Sequence, residues 1–583
     1  MMKIFKRILL LLTVVITSTV VYNYPKLNIL AGYSAKNTAS SVFLANRSLA
    51  LTDSTDTNFS PVHLASDKID LENKTASSSV FGLLSRKAFY REGLGSVLTL
   101  RDTDETTVYS TPNRSFLDTA NLYPFWNASQ KDTVFENINY KKLDKTIDAL
   151  CDASNTRAIV VVYKDKIIGE QYARGFRQDS KILGWSMTKS ILSTVFGVLQ
   201  YQGKLNVQNR ALVESWQNDA RKDITLHNLL QMNSGLEWDE NYDEISDATK
   251  MLFLDRDMSR AQENKPLVGK PNESWNYSSG TTNLLSRLLR NLFKTHQEYL
   301  DFWYSDLIDK IGMSTMVLEA DLSGNYVGSS YSWATARDWG KLGLLYLHNG
   351  NWNGEQLFDK DWVEYVTTPT PGSSGVYGAH FWLNTEGQFK DVPKNMYCAH
   401  GYQGQRVYVL PDQDLDCVVY GCTSGTIAVG HNSIEKKVKA AKPMAELTTP
   451  STAAIKALKK LNIKKICIFT PYSKRLNDEV LEYFKMEGFE ITSNSYFDIE
   501  ADYDIGKVDQ NHLYDVLSKI DLNGAEALFV SCTALPVLSI IDKLEKKLNV
   551  AVLSSNQALI WDTLVKINKN NSVEGFGKLF QSN

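Results

Sequence analysis

The stretch that decides the fold is Gly184-Trp-Ser186-Met-Thr-Lys189-Ser190, followed by Ile191, Leu192, Val195, Phe196 and Leu199, with Gly203 beyond them. The apolar spacing predicts a buried helix that Gly203 can stop. Ser186 and Lys189, at i and i+3, share one face near its start. Free N–H groups and the helix dipole favour a developing oxyanion there. A lysine pressed against this apolar helix is desolvated, so its pKa falls and it can take the serine proton. The spacing alone is weak, because Ser433-Ile-Glu-Lys436 repeats it on what reads as a solvated helix face.

Working outward, a hairpin precedes the helix: Ala158–Tyr163, a Lys-Asp-Lys turn, then Ile167–Tyr172. Downstream, Pro271-Asn-Glu-Ser-Trp-Asn-Tyr277-Ser-Ser279-Gly280 carries a phenol at a turn before another apolar helix. A phenol beside Ser186 can relay a proton to a leaving group. Then Tyr397-Cys-Ala-His400-Gly-Tyr-Gln403-Gly404-Gln405 leads into the strand Arg406–Leu410, and its glycine lets backbone N–H groups approach an acyl oxygen. Strands interrupted by a large helical insertion predict an α/β or α+β sandwich over 136–416. From about 455 the texture changes to strict βα alternation, with strands at Ile463–Phe469, Ala527–Val530 and Val550–Leu553, which predicts a parallel sheet. Val418-Val-Tyr-Gly-Cys422-Thr is echoed by Leu528-Phe-Val-Ser-Cys532-Thr, 532 − 422 = 110 residues later, suggesting duplicated half-domains.

The ends and the bulk properties limit the function. Lys3, Lys6 and Arg7 precede an apolar run of 14 residues, Ile8–Val21, which reads as an export signal over 1–22 or as an uncleaved inner-membrane anchor. Export to the periplasm, with membrane association at the N-terminus, is the expected location. Residues 23–135, rich in Ser, Thr, Asn and Asp with no sustained period, read as an irregular extension. Over 583 residues a net charge of −3 with no basic block argues against nucleic-acid binding. Six cysteines are too few for a disulfide scaffold, and with eight dispersed histidines and no HExxH no metal or other cofactor is expected.

Ser186-Met-Thr-Lys189, Tyr277-Ser-Ser279 and the His400–Gln405 turn together resemble the class C β-lactamase-related serine hydrolases. Leu229-Leu-Gln-Met-Asn-Ser-Gly-Leu-Glu-Trp-Asp239, Gly328-Ser-Ser-Tyr331 and Ala334-Thr-Ala-Arg-Asp-Trp339 support the likeness. The resemblance implies a penicillin-recognising sandwich with Ser186 as nucleophile, Lys189 as its base and Tyr277 as general acid/base. The N–H groups of Ser186 and Gln405 would form the oxyanion hole, with Gly404, Gln403, His400 and Ser279 around the substrate. Where the family pattern has Y-x-N, this chain has Tyr277-Ser-Ser279, and the K-T-G strand becomes Tyr402-Gln-Gly404. Those departures point away from β-lactams and toward a small ester, amide or peptide-like substrate, as in the 6-aminohexanoate-dimer hydrolase and carboxylesterase branch.

Tyr420-Gly-Cys422-Thr-Ser-Gly-Thr426, Thr448-Thr-Pro450, Thr470-Pro-Tyr472, Ser531-Cys532-Thr-Ala534 and Ser555-Asn-Gln557 resemble the Asp/Glu racemase superfamily, in its maleate isomerase and arylmalonate decarboxylase branch. This implies a cofactor-independent isomerase, racemase or decarboxylase of small dicarboxylates over 417–583. Cys422 and Cys532 would flank the substrate, supported by Tyr472 and Asn477. Both domains read as truncated at their junction: the hydrolase lacks a closing helix and the racemase-like part its first strand–helix–strand set. The strand Leu415–Tyr420 would have to serve both. A recombined chain and a genuine fusion give the same pattern. A third reading is a module that binds peptidoglycan or traps one acyl group without turnover.

Overall fold

A computed structural model describes residues 2–115, 134–135, 138–153, 156–411, 417–442, 445–567, 569 and 572–581. The chain divides into two compact units, Met1–Pro411 and Asp412–Asn583.

The first unit is built around two buried helices, Met187–Tyr201 and Ser279–Arg290, whose leucines, isoleucines and valines share one apolar core with the tryptophans Trp216, Trp303 and Trp362. The expected hairpin is present, Ala158–Tyr163 paired antiparallel with Lys166–Tyr172. A second antiparallel sheet joins Trp382–Leu383, Tyr397–His400 and Arg406–Val409. The helix Ala336–Leu347 packs against strands of both. A third joins Ile182–Leu183, Ser332–Ala334 and Val317–Leu318, and delivers the chain to Ser186. Arg406–Val409 is the last described element of this unit.

The irregular extension expected over 23–135 is corrected by the structure over residues 23–98, the rest of it lying partly outside the described residues. One helix runs from Met2 to Ala39 through Pro25. Its second half packs on a four-stranded antiparallel meander, Ala65–Asp70, Thr75–Val80, Leu84–Arg91 and Gly95–Leu98. The strands lack an apolar run because the interface is made of small residues. Ala31, Ala35 and Ala39 are buried on the helix, and Ala76 and Ala88 on the sheet. Between them Asp67 accepts hydrogen bonds from Ser34 Oγ at 2.8 Å, from Thr38 Oγ1 at 3.0 Å and from Ser78. Lys36 is buried on Glu319, which also accepts from Ser40 Oγ (2.7 Å), Ser96 N–H (2.8 Å) and Trp333 Nε1 (2.9 Å). The segment therefore belongs to the first compact unit, Met1–Pro411. Among the described residues, no helix is long and apolar enough to cross a membrane.

In the second unit four parallel strands lie in the order Glu490–Ile499, Lys465–Tyr472, Ala527–Val530, Ala551–Ser554. A separate parallel pair joins Cys417–Val419 to Glu446–Thr448, so this strand serves the second unit.

Candidate active sites

The serine lies at an elbow. The strand Ile182–Leu183 ends at Gly184, whose N–H donates to Ser332 O (2.8 Å) and whose α-carbon is so close to the Trp339 ring that a side chain would collide with it. Trp185 then adopts φ +47°, costly for a bulky residue, and Ser186 sits at the N-cap of the buried helix. The helix places Lys189 one turn on, with 1% of its surface exposed. Its Nζ lies 2.9 Å from Ser186 Oγ, 2.9 Å from Ser279 Oγ and 2.9 Å from the carbonyl oxygen of Ser329. Burial pushes the Lys189 pKa down to about 8, against the pull of Glu240. Tyr277 stands beside Ser186, and burial raises its phenol far above the usual range. The Lys189 ammonium stands 4.8 Å from the Tyr277 ring centre.

The other predicted residues divide. Ser279, first in its helix, is in direct contact with Lys189. The turn Gly401–Gln405 reverses the chain between paired His400 and Arg406, with Gln403 at φ +58° and Gly404 at φ +79°. Gly401 lies against the carbonyl of Gly184 and the side chain of Trp185, with no room for a β-carbon, so the tip of the hairpin abuts the serine elbow. Gln405 is half-buried there, while Gln403 and Gly404 are exposed. His400 is not hydrogen-bonded to this group. It packs edge-on to Trp382 (5.6 Å), which in turn lies 5.5 Å from Tyr277, and burial lowers its pKa. The second Ser-x-x-Lys copy, Ser433 and Lys436, lies on an exposed helix face.

Three contributors were not foreseen. Glu240 accepts from Ser279 N–H (2.8 Å), Ser279 Oγ, Tyr242 Oη (2.8 Å) and Trp238 Nε1. Ser329 supplies the third oxygen on Lys189. Tyr33, from the N-terminal helix, stacks on Trp185 at 5.9 Å. Only Ser329 lay in a quoted motif; Glu240 follows one directly, and Tyr33 had no signal.

In the second unit each predicted cysteine follows the C-terminal end of a parallel strand, where open α/β sheets place ligands. Cys422 Sγ accepts from Gly425 N–H (3.2 Å) and Cys532 Sγ from Ala534 N–H (3.4 Å). Thr533 Oγ1 donates to Gly421 O (2.8 Å). Ser555 Oγ meets both Thr423 Oγ1 (3.0 Å) and Cys532 N–H (3.0 Å), which ties the two loops together. Cys532 has φ +112°, a region nearly closed to any residue with a β-carbon. Tyr472 lies beside Cys532 and Thr423, its phenol pushed up mainly by burial. Asn477 bonds Thr470 Oγ1 (2.9 Å) and Asn494 (3.3 Å) and neither cysteine. All six cysteines are free thiols. Among the described residues no cluster of His, Cys, Asp and Glu is arranged for a metal ion.

With this geometry in hand, the comparisons place the two halves. Residues 143–430 match the Beta-lactamase family model, and residues 429–580 the Arylmalonate decarboxylase model. The chain is a fusion of a β-lactamase-related hydrolase domain and an Asp/Glu racemase-like domain. The second half is similar to maleate isomerase of Geobacillus stearothermophilus, 23% identical over 220 residues, 33% of this chain and 88% of that one. It is also similar to arylmalonate decarboxylase of Bordetella bronchiseptica, 26% identical over 136 residues, 23% of this chain and 57% of that one. Among solved structures, a Bacillus anthracis protein provisionally assigned as a 6-aminohexanoate-dimer hydrolase is 19% identical with a TM-score of 0.41, covering 53% of this chain and 84% of its own. Maleate isomerase of Pseudomonas putida S16 is 22% identical with a TM-score of 0.28, covering 29% and 71%.

Proposed function

We propose that the first unit is a serine hydrolase that cleaves an ester or amide through an acyl-Ser186 intermediate. The observation that carries this reading is one oxygen, Ser186 Oγ, held by a buried lysine at 2.9 Å beside the buried phenol of Tyr277. With its pKa near neutrality, Lys189 takes the serine proton as Oγ attacks the carbonyl carbon. The N–H groups of Ser186, at the helix start, and Gln405, on the abutting hairpin, receive the oxyanion. Tyr277, kept neutral by its burial, passes a proton to the leaving group. Water then attacks the acyl carbon and the steps reverse. Ser279 and Tyr402 replace the asparagine and lysine of the family pattern, so nothing at those positions grips a β-lactam amide or pairs with its carboxylate. That favours a neutral ester, amide or peptide-like substrate. Lys3, Lys6, Arg7 and the apolar run behind them support an exported protein, periplasmic or anchored at the inner membrane.

The hydrogen bonds joining the two cysteine loops favour a second reading for the other unit, a cofactor-independent isomerase, racemase or decarboxylase of a small dicarboxylate with Cys422 and Cys532 on its two sides.

The test is hydrolysis of p-nitrophenyl butyrate by the chain and by Ser186→Ala. Turnover in the parent should fall by at least about three orders of magnitude in the variant. Because protonated Lys189 cannot act as base, the rate should climb as pH rises through about 8. Equal rates in both proteins would reject the reading, and a single burst without turnover would favour an acyl-trapping module. Thiol alkylation should leave ester hydrolysis intact and abolish any conversion of maleate.

A further inference from the structure

We propose that Glu240 is a positioning residue of the serine site, which, acting through the Ser279 hydroxyl, turns the free electron pair of Lys189 toward Ser186. The inference rests on the serine-hydrolase reading and follows from counting protons. A neutral lysine amine has two N–H donors and one lone pair, and Nζ here has three oxygen neighbours at 2.9 Å. The Ser329 carbonyl can only accept, so it takes one N–H. A hydroxyl such as Ser279 could take either role. Its single proton is committed, however, because Oγ donates to Glu240 and a carboxylate can only accept. Ser279 must therefore accept the second N–H of Lys189. The lone pair is left facing Ser186, the one neighbour with a proton to give.

Glu240 is equipped for this role. Besides the Ser279 hydroxyl it accepts from Ser279 N–H, Tyr242 Oη and Trp238 Nε1, which fix the carboxylate in place. The family pattern has asparagine where this chain has Ser279. An asparagine side chain presents a carbonyl oxygen that is an acceptor by nature; a serine becomes a fixed acceptor only when its own proton is claimed by something else. Glu240 claims it. The other titratable groups around Lys189 are the Tyr277 ring, Tyr242 beyond Ser279, and His380, whose deep burial keeps it neutral with a pKa near 3. Glu240 is thus the charged group whose attraction holds the lysine pKa up against its burial.

Two effects should appear together in Glu240→Gln. The amide brings its own donors and frees the Ser279 proton to turn onto Lys189, where it competes for the lone pair. The plateau of kcat/KM should fall about 10²-fold, a typical share for a well-placed base. Loss of the negative charge should also shift the rising limb of the pH profile to lower pH than in the parent. Ser279→Ala removes the coupling hydroxyl, so adding Glu240→Gln to it should lower the plateau no further while still moving the limb. Glu240→Asp should restore part of the plateau. The experiment is the pH dependence of p-nitrophenyl butyrate hydrolysis by the full chain between about pH 5 and pH 10. A limb that stays put in Glu240→Gln, or plateau losses that multiply in the double variant, would overturn the inference while leaving the serine assignment standing. Should Glu240→Gln fail to fold, Ser279→Ala decides alone: a plateau equal to the parent's rejects the proposal and a loss of about 10²-fold supports it. Turnover retained in Ser186→Ala would remove the reading on which the inference rests.

Discussion

Lys36→Met should destabilise the first unit by about 3 kcal/mol. Lys36 and Glu319 are both almost fully buried, with side-chain exposures of 3% and 0%. The ammonium also contacts Ser40 Oγ at 3.2 Å and lies 3.6 Å from the Tyr331 ring centre. Methionine preserves most of the volume but leaves the carboxylate without its counter-charge. Breaking a buried pair in this way costs about 3–5 kcal/mol. Glu319 would keep Ser40, Ser96 and Trp333 as donors, so the lower end applies. Eleven of the 12 tryptophans precede residue 383, and urea unfolding followed by tryptophan emission therefore reports on this unit. With a slope of about 3 kcal/mol/M or more for a unit of this size, the midpoint should fall by up to about 1 M. Lys36→Met combined with Glu319→Gln should recover at least half of the loss, since no unpaired charge is then buried. A single variant that unfolds with the parent, or a double variant whose loss equals the sum of its parts, would refute the argument. Hydrolysis should decline with stability, because the same helix holds Tyr33 against Trp185.

Gly401→Ala should impair hydrolysis about 10²-fold without a matching loss of stability, because the added carbon pushes the hairpin tip off the Gly184 carbonyl while the backbone at φ −118° accepts any residue. Parent-like kcat/KM would show that the tip does not need to touch the elbow. In the second unit Cys532→Gly should be more stable than Cys532→Ala by about 1–2 kcal/mol, since both lose the thiol and only glycine relieves φ +112°. Hydrogen exchange in the strand Ala527–Val530 would measure this, and equal protection in the two variants would contradict it.

The parts legible in the sequence were those with strong apolar contrast. The Ser186 helix, the 158–172 hairpin and the βα alternation of the second unit announce themselves because large aliphatic side chains recur at helix or strand period. The N-terminal helix and meander did not, because Ala, Ser and Thr pack them closely and carry little hydropathy. At the serine site, Ser186, Lys189 and Tyr277 were readable from spacing and order. Glu240 was not, because its role depends on which atom holds one proton, and spacing carries no information about that. The surroundings of Asn477 were hidden for a related reason: a polar residue one turn into a helix after a strand can serve the strand, and here it bonds Thr470 and Asn494.

Backbone strain connects the two candidate sites more directly than any motif. Most non-glycine residues at positive φ in this chain are Asn, Asp or Lys in turns, where short polar or solvated side chains tolerate it. Trp185, Met232, His380 and Cys532 are different, being buried; of these Trp185 directly precedes the candidate nucleophile and Cys532 is a candidate catalytic residue itself. Each such residue costs about 1–3 kcal/mol and persists only where its surroundings over-determine it. At Trp185 those surroundings are aromatic: Tyr33 stacks on one side of the indole, Tyr402 meets it edge-on at 5.7 Å, and Trp339 fills the space that a side chain at 184 would need. Two of those three supports lie within the segment matched by the Beta-lactamase family model, and the third, Tyr33, lies outside it. The N-terminal helix is therefore a structural partner of the serine elbow, and its small-residue packing on the meander is what sets Tyr33 in place.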